Sequence, residues 1–303
     1  NEKALGWSLL IRMLPSHHEI AFPTHKMRWR MFDKNTNLSY VCKEIQDTHS
    51  AIIEMLITIF DDSEDRFSQL IKETPNLSLT DRKRVLTWAD EVYPNIKHKR
   101  NLAWETIRGI LSYHRSYPNA SWALPETELM RFEMLYNKLQ PTDIIHKYIW
   151  LFNEQWPQLP EGLRYDSKNY EQQLKKVDDI RRIAVEEWLK NLNLETVIEL
   201  RNKVKDCRAF GKILAQIVTT REDILLVCQC LRDRSGQVSF IHGFLNEKST
   251  ANGINWIKII FKELKRSRLD DKSLSNIFIP LNQNQQLWDF IASLGGVIQD
   301  EYW

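Results

Sequence analysis

A chain of 303 residues with 11 Trp and only 9 Gly has too little glycine for the tight turns of an all-β sandwich or barrel. It is equally poor in the clustered glycines on which Rossmann and P-loop phosphate cradles are built. Its 43% hydrophobic and 27% charged residues exclude extensive disorder, and 42 Lys+Arg against 40 Asp+Glu, with 20 of each sign in residues 1–160, exclude a basic arm that holds nucleic acid by bulk charge.

Leu5, Leu9, Leu10 and Met13 open the chain with helical apolar spacing. An irregular loop is expected over residues 14–35, and its stretch 14–32 (LPSHHEIAFPTHKMRWRMF) holds His17, His18 and His25 beside Glu19. A zincin needs His-Glu-x-x-His on one helix; here Phe22 stands where the second His belongs and Pro23 stops the helix. The three histidines are therefore candidate metal ligands without the required spacing, and no metal or other cofactor is expected. Lys26, Arg28, Trp29 and Arg30 could grip a phosphate backbone with Trp29 stacked on a base, or could anchor one Trp in a core. They are the interaction candidates.

From Leu38 the stripe Val41, Cys42, Ile45, His49, Ile52, Ile53, Leu56, Ile59 and Phe60 keeps i, i+3, i+4 spacing over six turns, which predicts an amphipathic helix with His49 packed in the core. Asp62 is the expected N-cap of the next helix, with Glu64 and Asp65 in its first turn. A Ca²⁺ loop fails there, because Arg66 and Lys72 occupy the Gly and Glu positions of an EF-hand. Pro75 ends that helix, Thr80 is the expected cap of one through Val85, Trp88 and Val92, and another covers roughly 98–115. Pro125 and Pro141 suit first-turn positions of new helices. Further helices are expected to begin near 168, 194, 207, 221, 237, 253, 271 and 284, with Thr220 and Asp223 as a capping box.

Helix starts taken in pairs recur every ~30–35 residues, the unit of helix-turn-helix arrays. The predicted fold is all-α: an irregular α-solenoid or helical-repeat array, with a compact multi-helix bundle as the alternative. Residues 1–155 form one expected helical subdomain, 156–166 (WPQLPEGLRYD) a linker, and 167–303 a helix-pair repeat subdomain. The scattered Trp are expected as wedges between helices, a smaller set lining a protein-binding face. Cys42, Cys207, Cys228 and Cys230 form no C-x-x-C, which points to reduced thiols in a cytoplasmic protein; Cys228 and Cys230 are expected on one helix. No apolar run reaches the roughly 18 residues of a membrane span. With no initiator Met and an aromatic end at Tyr302-Trp303, the chain is expected to be a piece of a longer polypeptide.

Leu9-Leu10 through Leu14-Pro15, Pro23-Thr24-His25, Arg28-Trp29-Arg30, Trp150-Leu151-Phe152, Leu159-Pro160-Glu161-Gly162, Arg181-Arg182-Ile183-Ala184-Val185 and the closing Tyr302-Trp303 occur in this order. The set resembles the helical region downstream of the nucleotide-binding module in very large bacterial proteins of the STAND NTPase class, several of which act in antiphage defence. The resemblance implies a non-enzymatic scaffold or sensor segment that recognises a protein, or neighbouring domains of its own chain, and supports homo-oligomerisation of the parent. No nucleotide-binding motif matches, so no ATPase residue is implied. The alternative function is a nucleic-acid-binding helical module using residues 25–30.

Overall fold

A computed structural model describes residues 2–15, 42–96, 101–164, 167–232 and 238–303. Every regular element among them is helical. The chain divides into two compact units, Asn1–Gln140 with Gln158–Arg164, and Pro141–Pro157 with Tyr165–Trp303. Residues 158–164, inside the stretch expected as a linker, are built into the first unit. Leu159 is buried there, the Leu163 N–H donates to Ser116 Oγ at 3.0 Å, and Arg115 Nη1 donates to the Pro160 carbonyl at 2.9 Å.

The first unit contains α1 (Glu2–Arg12), α2 (Cys42–Ile59), α3 (Glu64–Glu73), α4 (Leu79–Val92), α5 (Leu102–Ser116) and α6 (Glu126–Lys138). Each helix packs on its neighbour but one: α1 on α3, α3 on α5, α2 on α4 and α4 on α6. Contacts α1–α2, α3–α4 and α5–α6 join the two rows. The rows meet over an aromatic core in which Phe60 sits edge-on to Trp88 at 5.0 Å and Phe67 lies 5.5 Å from the same indole. The cap of α4 is Ser78 rather than Thr80: its hydroxyl accepts from the Asp81 N–H and donates to the Asp81 carboxylate, which also accepts from Ser50 Oγ on α2. Ser63, not Asp62, occupies the cap position of α3. Both slips are of one or two residues, the usual ambiguity where several capping residues adjoin. His49 is half-buried, not core, because residues 43–48 of α2 are solvent-exposed throughout.

The second unit contains α7 (Ile144–Tyr148), α8 (Tyr170–Asn191), α9 (Leu194–Glu199), α10 (Cys207–Ile217), α11 (Arg221–Cys228), α12 (Val238–Arg266), α13 (Asp271–Ser275), α14 (Gln285–Leu294) and α15 (Gly296–Tyr302). The neighbour-but-one pattern recurs, with α8 on α10, α10 on α12, α9 on α11 and α13 on α15. Asn193, Asp206, Thr220, Asp270 and Asn284 each cap the helix that follows with a side-chain oxygen. Pro141 lies before its helix, not in the first turn, because Asp143 caps α7 from the Ile145 N–H. The start expected near 253 falls at Gly253, whose non-helical φ of 72°, in the region that favours glycine, divides α12 into two helical segments. Cys228 closes α11 and Cys230 falls in the 3-10 turn after it, so the two thiols do not share one helix. Full burial pushes the Cys228 thiol up to about 12.

Trp188 is the hub of this unit's core, with Phe152 at 5.6 Å and Phe210 at 5.9 Å, and its indole N–H donates to the Ile144 carbonyl at 2.9 Å. Trp7, Trp88 and Trp104 are buried wedges likewise, whereas Trp288 and Trp303 are exposed. On α12, next to its closest approach to α10, His242 Nε2 is shut off from solvent without a hydrogen-bond partner among the described residues. Burial first, and the nearby Arg208 charge second, hold the His242 pKa below its ordinary value. The unfolded chain therefore binds a proton that the folded one refuses once the pH falls below about 6.5. This stabilisation is complete above that pH and is lost as the pH falls toward the depressed folded value. Thermal melts between pH 7.5 and 5.5 should show a smaller acid loss for His242→Gln than for the parent; equal losses would discard the assignment.

Candidate functional site: an aromatic-walled cleft

The sequence-predicted candidates His17, His18, His25, Lys26, Arg28, Trp29 and Arg30 lie outside the described residues. Among the described residues no three His, Cys, Asp or Glu side chains converge in a way that could hold a metal ion. The acidic run at 61–65 is accounted for locally: Asp61 pairs with Arg66 at 2.9 Å, and Glu64 and Asp65 form the first turn of α3. His146 is bound to Asp143 at 2.8 Å, an exposed pair at the start of α7.

One site in the first unit is an open cleft of about 610 Å³ along α5, within the range of small-ligand pockets (roughly 300–1,000 Å³). Leu102, Thr106, Gly109 and Tyr113 are spaced three or four apart, so one face of α5 forms its floor. The end of α3 and the turn after it, through Lys72 and Asn76, make one wall; Trp122 makes the other. Trp122 is set by the return of the chain between α5 and α6. The Leu124 N–H donates to His114 Nδ1 at 3.0 Å, which folds the loop back and stacks the indole on Tyr113 at 4.4 Å with planes 12° apart. Tyr117 adds a tilted ring 5.9 Å from Trp122, and the Arg164 guanidinium lies 5.5 Å from the Tyr117 ring centre.

These rings are displayed rather than buried: Tyr113 is 55% exposed and Tyr117 41%. Beneath them the Arg108 guanidinium, nearly buried, lines the cleft while lying 5.1 Å over Trp104, itself stacked on Tyr136. Burial raises the Tyr136 pKa, so the phenol stays neutral. Arg115, two turns beyond Arg108 on α5 and outside the cleft lining, joins α5 to α6 with hydrogen bonds to Glu126 at 3.1 Å and Glu133 at 2.9 Å. Those carboxylates raise its own pKa, and it lowers that of Glu133. The chemistry offered is apolar and aromatic contact with a few fixed polar groups, which suits recognition.

None of these residues stood out in the sequence. Tyr113 and Trp122 are nine positions apart, and the weak signal was their clustering with His114 and Tyr117 around the end of α5. Compared with protein-family models, curated proteins and solved structures, the chain finds no match. No helix among the described residues is long and apolar enough to cross a membrane.

Proposed function

We propose that this chain is a non-enzymatic helical-repeat scaffold that recognises a protein, with the aromatic cleft of the first unit as the anchoring surface. The observation that carries the reading is the displayed Tyr113–Trp122 stack above Arg108, since Trp, Tyr and Arg dominate the energetic centres of protein interfaces. The neighbour-but-one helix packing in each unit supports a helical-repeat arrangement over a compact bundle, because stacked helix pairs contact mainly adjacent pairs. The likeness to the helical sensor region of bacterial STAND-class defence proteins supplies the context: recognition here, catalysis in other domains of a cytoplasmic parent.

The test is differential capture from bacterial lysate with an immobilised chain. Proteins retained by the parent should be lost with Tyr113→Ala/Trp122→Ala, since an interface anchor is worth about 2 kcal/mol or more, on the order of 30-fold in affinity. Met130→Ala, an exposed apolar change elsewhere on the unit, is the control. Retention of the same proteins by the double variant, with unchanged circular dichroism, would remove the cleft from the proposal.

A further inference from the structure

A second cavity of the first unit shares no lining residue with the aromatic cleft. It encloses about 280 Å³ between α4 and α6, and its polar lining is three cations, one carboxylate and one hydroxyl: Arg82, Lys83, Arg131, Glu128 and Thr127. Arg82 is committed elsewhere. It is 9% exposed, donates through Nη2 to the carbonyls of Pro75 at 3.0 Å and Leu77 at 2.9 Å, and pairs through Nη1 with Glu128. That pair cancels the carboxylate. Lys83 from α4 and Arg131 from α6 remain, each without an ion pair among the described residues, and both line the same small space.

Lys83 and Arg131 are both solvent-exposed, so water screens most of their mutual repulsion, and what the cavity offers is two cationic donors from two helices to one anion. The cavity also touches the first turn of α6 at Thr127, and that helix has no side-chain cap. Thr127 adds a hydroxyl donor. The volume is at the small end for ligand sites, large enough for a head group but not for a dinucleotide. The remaining wall is apolar, from Leu79, half exposed, and Leu86. We propose that this cavity binds a phosphate-type oxyanion, above all a phosphomonoester carried on an apolar or aromatic group. The guanidinium and ammonium would take the oxygens by charge-assisted hydrogen bonds, and the leucines would cover the ester group.

Thermal melting of the whole chain tests this. Inorganic phosphate and phenyl phosphate, at about 10 mM and against chloride of equal ionic strength, should raise the melting temperature by about 3 °C if the affinity is near millimolar. Phenyl phosphate should act at lower concentration than inorganic phosphate, which separates an esterified ligand from the free ion. Lys83→Gln/Arg131→Gln should melt in chloride close to the parent temperature, since both side chains are exposed, and should lose the phosphate response. Lys43→Gln, an exposed cation on α2, should keep it. As a readout independent of stability, the ³¹P signal of phenyl phosphate should broaden with the parent chain and sharpen again on adding inorganic phosphate. Either a phosphate shift no larger than that of chloride, or an equal shift in the double variant, would overturn the assignment.

Discussion

Arg181→Ala should unfold the second unit more readily by about 3–5 kcal/mol, seen as a lower urea midpoint at unchanged slope. The side chain is 1% exposed and lies over Phe152 at 5.5 Å. Its Nε donates to the Leu151 carbonyl at 2.9 Å and its Nη2 to that of Glu154 at 2.8 Å. A hydrogen bond from a charged donor is worth about 1.5–3 kcal/mol, and two buried carbonyls lose theirs together. The ion pairs are the smaller part. Asp178 and Asp206 stand 3.6 and 3.8 Å away, and each keeps another partner: Lys212 Nζ at 2.6 Å for Asp178, the Ala209 N–H for Asp206. Burial pulls the Arg181 pKa down and these two carboxylates oppose the shift, so the guanidinium is charged at any working pH. Lys at this position keeps the charge but lacks the planar fork that reaches both carbonyls, so Arg181→Lys should recover less than half of the loss. A midpoint for Arg181→Ala within error of the parent would show that the 151–155 turn does not depend on this side chain.

The second large effect is expected where α10 crosses α12. A methyl group on Gly211 would strike the Phe240 carbonyl, and one on Gly243 would strike the Arg208 carbonyl, whose carbon would lie 3.0 Å away. Backbone is on the receiving side in both cases, so neither clash can be relieved by turning a side chain; the helices must separate. Overpacking of this kind costs about 1–3 kcal/mol, and the gain in helix propensity on replacing Gly by Ala, about 1 kcal/mol, offsets only part of it. Gly211→Ala and Gly243→Ala should each destabilise the unit. The double variant should cost clearly less than the sum, because the first substitution opens the crossing for the second. Strict additivity in a double-mutant cycle by urea unfolding would contradict a shared contact. The flank of this crossing carries the Phe210–Phe240 pair at 5.3 Å, so loosening it also disturbs the core around Trp188.

Local chemistry explains what could be read early. Helix existence depends on apolar spacing, and helix ends on capping residues and prolines. Hence the starts at Leu194, Cys207, Arg221, Asp271 and Gln285 fall within a residue of where periodicity and caps place them. Where Ser63 stands beside Asp62, or Ser78 beside Thr80, several residues can cap, and only the packed backbone selects one. The basic and histidine-bearing segment at 14–35 is conspicuous because sequence displays residue types, and from residue 16 onward it lies outside the described residues. The aromatic cleft is not conspicuous, because its members become a surface only once the loop after α5 folds back on His114.

The sequence by itself therefore determined an all-helical chain, its approximate helix boundaries and the low-glycine, Trp-rich composition that fills spaces between helices. Tertiary structure alone decided which Trp became wedges, such as Trp104 and Trp188, and which became a displayed face, as Trp122 did in part. It also made two of the nine glycines a helix contact and turned Lys83 and Arg131, 48 positions apart, into one cavity lining. The physical reason is common to all three. Periodicity and capping energies act within one or two turns, whereas these features depend on distances between helices that are set only when the whole unit packs.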